Sequence, residues 1–195
     1  LSETETTSQL SETDRFYLLY GKAMAAWAHI EHGLALWFSH CTGLGFKTAE
    51  NLFFSSRAGF SSRSRLLLSA LQTTKLDDVA REFISEARER ADSYCGARNR
   101  LAHGVMHPNR SGDQLNWHIK ELSQWEGKEG LDDQKILLIT TNFEALSALL
   151  KHSFVIEARG EELTEFLRPV YTLPNKADST LLSKKQLERL AQLPG

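Results

Sequence analysis

Two cysteines in 195 residues are too few to build a disulfide framework. Cys41 and Cys95 both fall inside helical patterns and read as small buried side chains of a reducing compartment. No run of about 18 apolar residues occurs, so no membrane-spanning helix is expected. The opening LSETETTSQLSETD has no apolar core and does not read as a secretory signal. Neither sign of charge prevails: 23 Lys and Arg face 25 Asp and Glu, a formal net charge of -2. That balance argues against a protein held to nucleic acid by overall charge alone. Also missing are a glycine-rich phosphate loop, a nucleophile elbow and a Cys-x-x-Cys pair. Proline is sparse, with Pro108 placed to stop a helix and Pro169 and Pro174 opening a tail. What remains is one cytoplasmic globular domain, 41% apolar, with enough length for a sizeable core.

What is present is helical periodicity. Residues 1–10 read as a flexible N-terminal segment. From Ser11 to Cys41, Phe16, Leu19, Ala23, Trp27, Ile30, Leu34, Trp37 and Cys41 recur at threes and fours on one face. Ser11 and Asp14 form a capping-box pattern, with Asp in place of Glu, and Gly43 and Gly45 close the helix. Shorter helices are expected over Thr48–Ser56 and Ser61–Thr73. A long one runs over Leu76–His103, with a stripe of Leu76, Ala80, Phe83, Ala87, Ala91, Tyr94, Arg98 and Leu101. Gly104 is placed as its C-cap. Residues 105–140 read as a polar insertion in which the alternating QLNWHIK (114–120) and the β-branched KILLIT (135–140) predict a small β-hairpin. Thr141 or Asn142 then caps a last main helix. The expected fold class is all-α: a bundle of four to five helices, two of them long and antiparallel, over residues 11–168. Residues 169–195 form a C-terminal tail, in which SKKQLERLAQL is a candidate terminal helix.

The chemistry concentrates in ARNRLAHGVMHP, residues 97–108. Asn99 and His103 are four apart and share a helix face, so the amide can orient the imidazole. Arg98 and His103 are five apart, roughly 140° around the axis. They converge only at a helix end or across a two-fold axis between copies. Gly96 lies on the Asn99/His103 face, and a glycine inside a helix is tolerated where another backbone approaches closely; it reads equally as a weak spot in an exposed helix. Arg98 continues an apolar stripe and needs a carboxylate, a carbonyl fringe or an anionic ligand. Glu31, flanking the Trp27/Ile30/Leu34 stripe, is the expected carboxylate. Residues 57–110 carry ten Lys and Arg against six Asp and Glu, a local basic excess around this segment.

The segment RNRLAHG resembles the R-polar-x-x-x-H motif of HEPN-domain proteins. It stands at the end of a long helix in an all-α chain whose long first helix bears an acidic residue (WAHIEHGL). The resemblance implies a metal-independent endoribonuclease acting as a homodimer, with two motifs facing each other. His103 would be the general acid or base in attack of a ribose 2′-OH on the adjacent phosphodiester. Arg98 would neutralise the phosphate, and Asn99 would orient His103. Glu31 would support the site. Arg57, Arg63, Arg65 and Arg100 are candidate RNA contacts, with Arg110 beyond them. Relatives of this kind include toxins with an antitoxin protein partner and phage-defence effectors; others are inactive binding or sensor modules. No cofactor or metal is implied. His29, His32 and His40 lack a spacing that supplies a third ligand. Trp27 and Trp37 are expected in the core, and Trp117 and Trp125 lie in the insertion, where packing beneath the loop competes with stacking on a base. A third reading is an unrelated bundle in which Arg98 and Glu31 form a structural pair.

Overall fold

The computed structural model describes residues 11–55, 59–111, 114–121 and 130–158. In order these form α1 (Glu12–Thr42), α2 (Phe46–Ser55), α3 (Phe60–Thr73), α4 (Asp78–His103), β1 (Gly104–Ser111), β2 (Gln114–Glu121) and α5 (Asp133–Ala158). The all-α bundle with a small hairpin is therefore the architecture observed. The expected N-terminal segment, the tail and its terminal helix lie outside the described residues.

Ser11 caps α1 by accepting the Asp14 N–H at 3.1 Å, while its hydroxyl donates to the Asp14 carboxylate at 2.6 Å. The apolar face of α1 is buried from Phe16 to Cys41. Trp27 sits at its middle, with the Phe60 ring of α3 at 4.9 Å and the Phe143 ring of α5 at 5.2 Å. Tyr94 of α4 reaches the same Phe143 at 5.6 Å. Four helices thus meet at one aromatic centre. Each large side chain buried there contributes about 1.5–3 kcal/mol.

Contacts along the helices set their directions. α3 runs parallel to α1: Trp27 meets Phe60, Glu31 meets Arg63, and the Cys41 carbonyl accepts from the Thr74 hydroxyl. α4 returns antiparallel to α3, with Ser64 bonded to Asp92 and Leu71 to Arg81. α1 and α4 are consequently the long antiparallel pair. α5 is also long and runs parallel to α1, since Arg15 approaches Asp133 at one end and His40 approaches Glu157 at the other. Gly33 permits that close packing. A Cβ there would stand 2.8 Å from the Leu150 Cβ, an atom fixed to its backbone.

The hairpin lies between α4 and α5, as expected, but with different strands. β2 matches the alternating segment, yet its antiparallel partner is 104–111, with Gly104 opposite Glu121 and Ser111 opposite Gln114. Pro108 is accommodated inside β1, opposite Trp117, because among the described residues β1 pairs with β2 alone. KILLIT is the first part of α5. Asp132 opens that helix by accepting the Lys135 N–H at 2.8 Å. Thr141 and Asn142 are not caps: both lie inside α5 and donate back to the Leu137 and Leu138 carbonyls at 2.9 Å. Burial of Ile136, Thr140 and Phe143 against the bundle outweighs the weak β preference of the segment.

Trp117 packs rather than projecting. Its indole N–H donates to the Thr13 hydroxyl at 3.1 Å, and its ring lies 6.2 Å from Phe16 and 6.5 Å from Tyr17. The hairpin is thereby fastened to the first turns of α1. Trp125 lies outside the described residues.

Two glycines of α1 should respond oppositely to alanine. Gly21→Ala enters open space and is expected to stabilise by up to about 1 kcal/mol through helix propensity. Gly33→Ala gains the same propensity but overpacks against Leu150, at a cost of about 1–3 kcal/mol. Urea midpoints of the two variants should therefore move in opposite directions.

Candidate active site

The last turns of α4 carry the motif. Helix α4 ends at His103 and the chain passes directly into β1, with Gly104 extended (φ -76, ψ 151) rather than left-handed. Gly104 is the C-cap, as expected, and glycine is required there for lack of space rather than for its backbone angles. A Cβ there would collide with the Ile119 side chain and the Arg100 carbonyl. Its N–H still closes the helix on the Arg100 carbonyl. The close fit of β2 against this glycine sets where His103 leaves the bundle.

His103 and Asn99 are both exposed on the same face, and Arg100 is exposed beside them. Arg98 is half-buried. Its Nη1 donates to the Asn99 side-chain oxygen at 3.1 Å, and its buried Nε has no hydrogen-bond partner among the described residues. The Asn99 amide nitrogen points to the Cys95 sulfur at 3.7 Å. Asn99 therefore holds Arg98 in this structure, and no Asn99–His103 hydrogen bond forms among the described residues. Gly96 is exposed, and a Cβ on it would meet nothing within 4 Å. This face of α4 is open rather than covered by another element.

Glu31 does not pair with Arg98. It accepts from Arg63 Nη2 at 2.5 Å, with both side chains about 15% exposed or less, and the Arg63 guanidinium lies 5.3 Å over the Phe54 ring. The physical cause is the parallel course of α3 along α1, which brings Arg63 to Glu31 one turn beyond the Trp27–Phe60 contact. Arg63 is engaged in the bundle and is not a free cation for RNA. Arg65 is exposed on α3. Arg57 lies outside the described residues, and no side-chain placement is described for Arg110.

The pairing of α3 with α4 also builds a network that sequence reading missed. The buried Ser64 hydroxyl donates to the Asp92 carboxylate at 2.7 Å and accepts from Arg88 Nη1 at 2.9 Å. Arg88 reaches the same Asp92 oxygen at 2.7 Å. The Arg88/Asp92 spacing of four was a readable signal; the Ser64 partner, 28 residues upstream of Asp92, was not.

Burial raises the Cys95 thiol above its ordinary value, and the Arg98 guanidinium opposes that only in part. Burial pushes the Cys41 thiol up to about 11. No group of three His, Cys, Asp or Glu side chains capable of holding a metal ion occurs among the described residues. The histidines of α1 are used separately: His29 is exposed, His32 stands edge-on to Phe46 at 5.4 Å, and His40 lies 3.4 Å from Glu157. No helix among the described residues is long and apolar enough to cross a membrane.

No family model, curated protein or solved structure matches this chain.

Glu31→Ala leaves the Arg63 guanidinium buried without its carboxylate, and a loss of about 3 kcal/mol is expected. Arg98→Ala removes one hydrogen bond to an exposed amide and should cost about 1 kcal/mol or less. Chemical denaturation of the two variants checks the ranking; a larger loss for Arg98→Ala would reverse which arginine is structural. The thiols give a second test. Iodoacetamide should modify Cys95 slowly at neutral pH and faster as pH rises above 9.0, the ordinary thiol value, with Cys41 reacting only on unfolding. Mass spectrometry of the alkylated protein reads both.

Proposed function

We propose that this protein is a metal-independent endoribonuclease of the HEPN type, working as a homodimer in the cytoplasm. A toxin–antitoxin or phage-defence setting, with an antitoxin protein as a further partner, goes with that reading. The observation that carries it is the joint emergence of Arg98, Asn99 and His103 at the end of α4, with His103 and Asn99 exposed.

In the proposed reaction the His103 imidazole takes the proton of a ribose 2′-OH. The 2′-oxygen then attacks the adjacent phosphorus, the bond to the 5′-oxygen breaks, and the leaving oxygen takes the proton from the His103 imidazolium. The product ends are a 2′,3′-cyclic phosphate and a 5′-OH. Arg98 neutralises charge building on the phosphoryl oxygens, and Asn99 acts by positioning Arg98. Arg98 and His103 diverge around the helix axis, so a second copy placing its motif opposite supplies the missing side of the site. The open space at Gly96 supports such an approach. Arg100, Arg65 and Arg57, the last outside the described residues, are the RNA contacts retained in this proposal; Arg63 is withdrawn because Glu31 occupies it.

A second reading is a catalytically inactive HEPN-like binding or sensor protein. The Arg98–Asn99 bond favours it, because the Asn99 oxygen is turned away from orienting His103. The reading of an unrelated bundle with an Arg98–Glu31 pair loses its basis, since Glu31 pairs with Arg63.

The deciding experiment incubates purified protein and its His103→Ala variant with mixed cellular RNA in EDTA. The unaltered protein is expected to leave 2′,3′-cyclic phosphate ends, and the variant to lose at least about a hundredfold in rate. Cleavage retained by a folded His103→Ala protein would sink the assignment. RNA binding without cleavage by either protein would establish the second reading.

A further inference from the structure

At the other end of α4, away from the motif, α3 and α4 enclose an outward-facing groove. Leu68 of α3, half-buried, is its apolar contact, with Leu71 beneath it already buried in the core, and Asp78, Glu82, Glu86 and Glu89 of α4 line the other side. These carboxylates recur at spacings of four, four and three, so they stand along one side of the helix. Arg81 is the one cation lining the groove among the described residues. Its guanidinium is committed elsewhere, donating to the Leu71, Leu76 and Thr74 carbonyls at 2.9, 3.1 and 3.2 Å. Glu89 also lies 3.5 Å from Arg88, which leaves Asp78, Glu82 and Glu86 as the acidic side. A carboxylate row beside the half-buried Leu68 fits a short basic amphipathic segment.

The chain itself contains one. Residues 183–193, SKKQLERLAQL, carry Lys184, Lys185 and Arg189 against the single Glu188, and Leu187, Leu190 and Ala191 stand at i, i+3 and i+4. The described chain ends at Ala158, one residue beyond Glu157, which meets His40 near the end of α1. That is also the end of the bundle where Cys41 meets Thr74, just past α3 and beside the groove. Residues 159–182 lie between, and their number does not limit the docking even at the about 1.5 Å per residue of a helix. Tethering gives a local concentration on the order of millimolar, so weak contacts suffice.

We propose that residues 183–193 dock into the α3/α4 groove of the same chain, with their lysines against Glu82 and Glu86 and their leucines over Leu68. This inference is independent of the nuclease reading, because the groove shares no residue with the motif.

Spin labels on Gln72→Cys and Gln192→Cys, in a full chain carrying Cys95→Ser, test it by pulsed dipolar spectroscopy; Cys41 is buried and escapes labelling. A narrow, short distance is expected, unchanged on dilution with unlabelled protein. Lys184→Glu with Lys185→Glu should abolish it, and adding Glu82→Lys with Glu86→Lys should restore it. A broad distribution in the parent chain would overturn the proposal, as would a short distance indifferent to charge reversal or not rescued by the swap. A short distance lost on dilution would assign the groove to a second copy instead.

Discussion

The bundle depends on covering Trp27. It is almost fully buried at the middle of α1, and its ring cannot be shielded by one neighbouring helix. Phe60 closes it from α3 and Phe143 from α5, while Tyr94 of α4 packs on Phe143. Once those contacts are made, the positions of α3, α4 and α5 around α1 are no longer independent. With its two ends at Arg15 and His40, α5 runs parallel to α1, and it brings Leu150 so close to α1 that position 33 has room for glycine alone.

The candidate site inherits its geometry from that arrangement. Helix α4 must end where the bundle ends, and the hairpin folds back over the same end to fasten on Thr13 and Phe16 through Trp117. Ile119 then presses against Gly104, one residue beyond His103. An imidazole at a helix terminus beside a tightly held glycine is carried on rigid backbone, although the side chain faces solvent. Rigid carriage of a group that acts on a substrate lowers the ordering cost of reaching a reactive geometry. The neighbouring arginine is held differently, by one bond to Asn99, while its buried Nε has no partner among the described residues.

Much of this was legible from residue spacing. The stripe of α1 from Phe16 to Cys41 predicts its buried face, because a helix with apolar residues at threes and fours has one face it must hide. The Ser11 cap and the end of α4 at His103 were legible for the same local reason: backbone groups at helix ends demand specific partners. KILLIT was not legible. Its β-branched residues favour strand weakly, and burial of Ile136 and Phe143 decided for helix. The strand partner of QLNWHIK was hidden as well, since GVMHPNRS carries a proline that reads as a breaker until the strand is seen to pair on one side only among the described residues.

Sequence alone determined the class of fold, the limits of most helices and the clustering of Arg98, Asn99 and His103 at one helix end. These follow from periodicity and capping, which act within a few residues. Only the tertiary structure decided that Glu31 belongs to Arg63, that Ser64 bridges Arg88 and Asp92, and that Asn99 holds Arg98. Two of these pairings join residues more than twenty positions apart, and the third depends on which rotamer the surroundings of α4 allow. A short-range pattern names the charged groups that need partners. The packing of α3 along α1 chooses among them, because an ion pair forms where the apolar contacts have already placed its two ends.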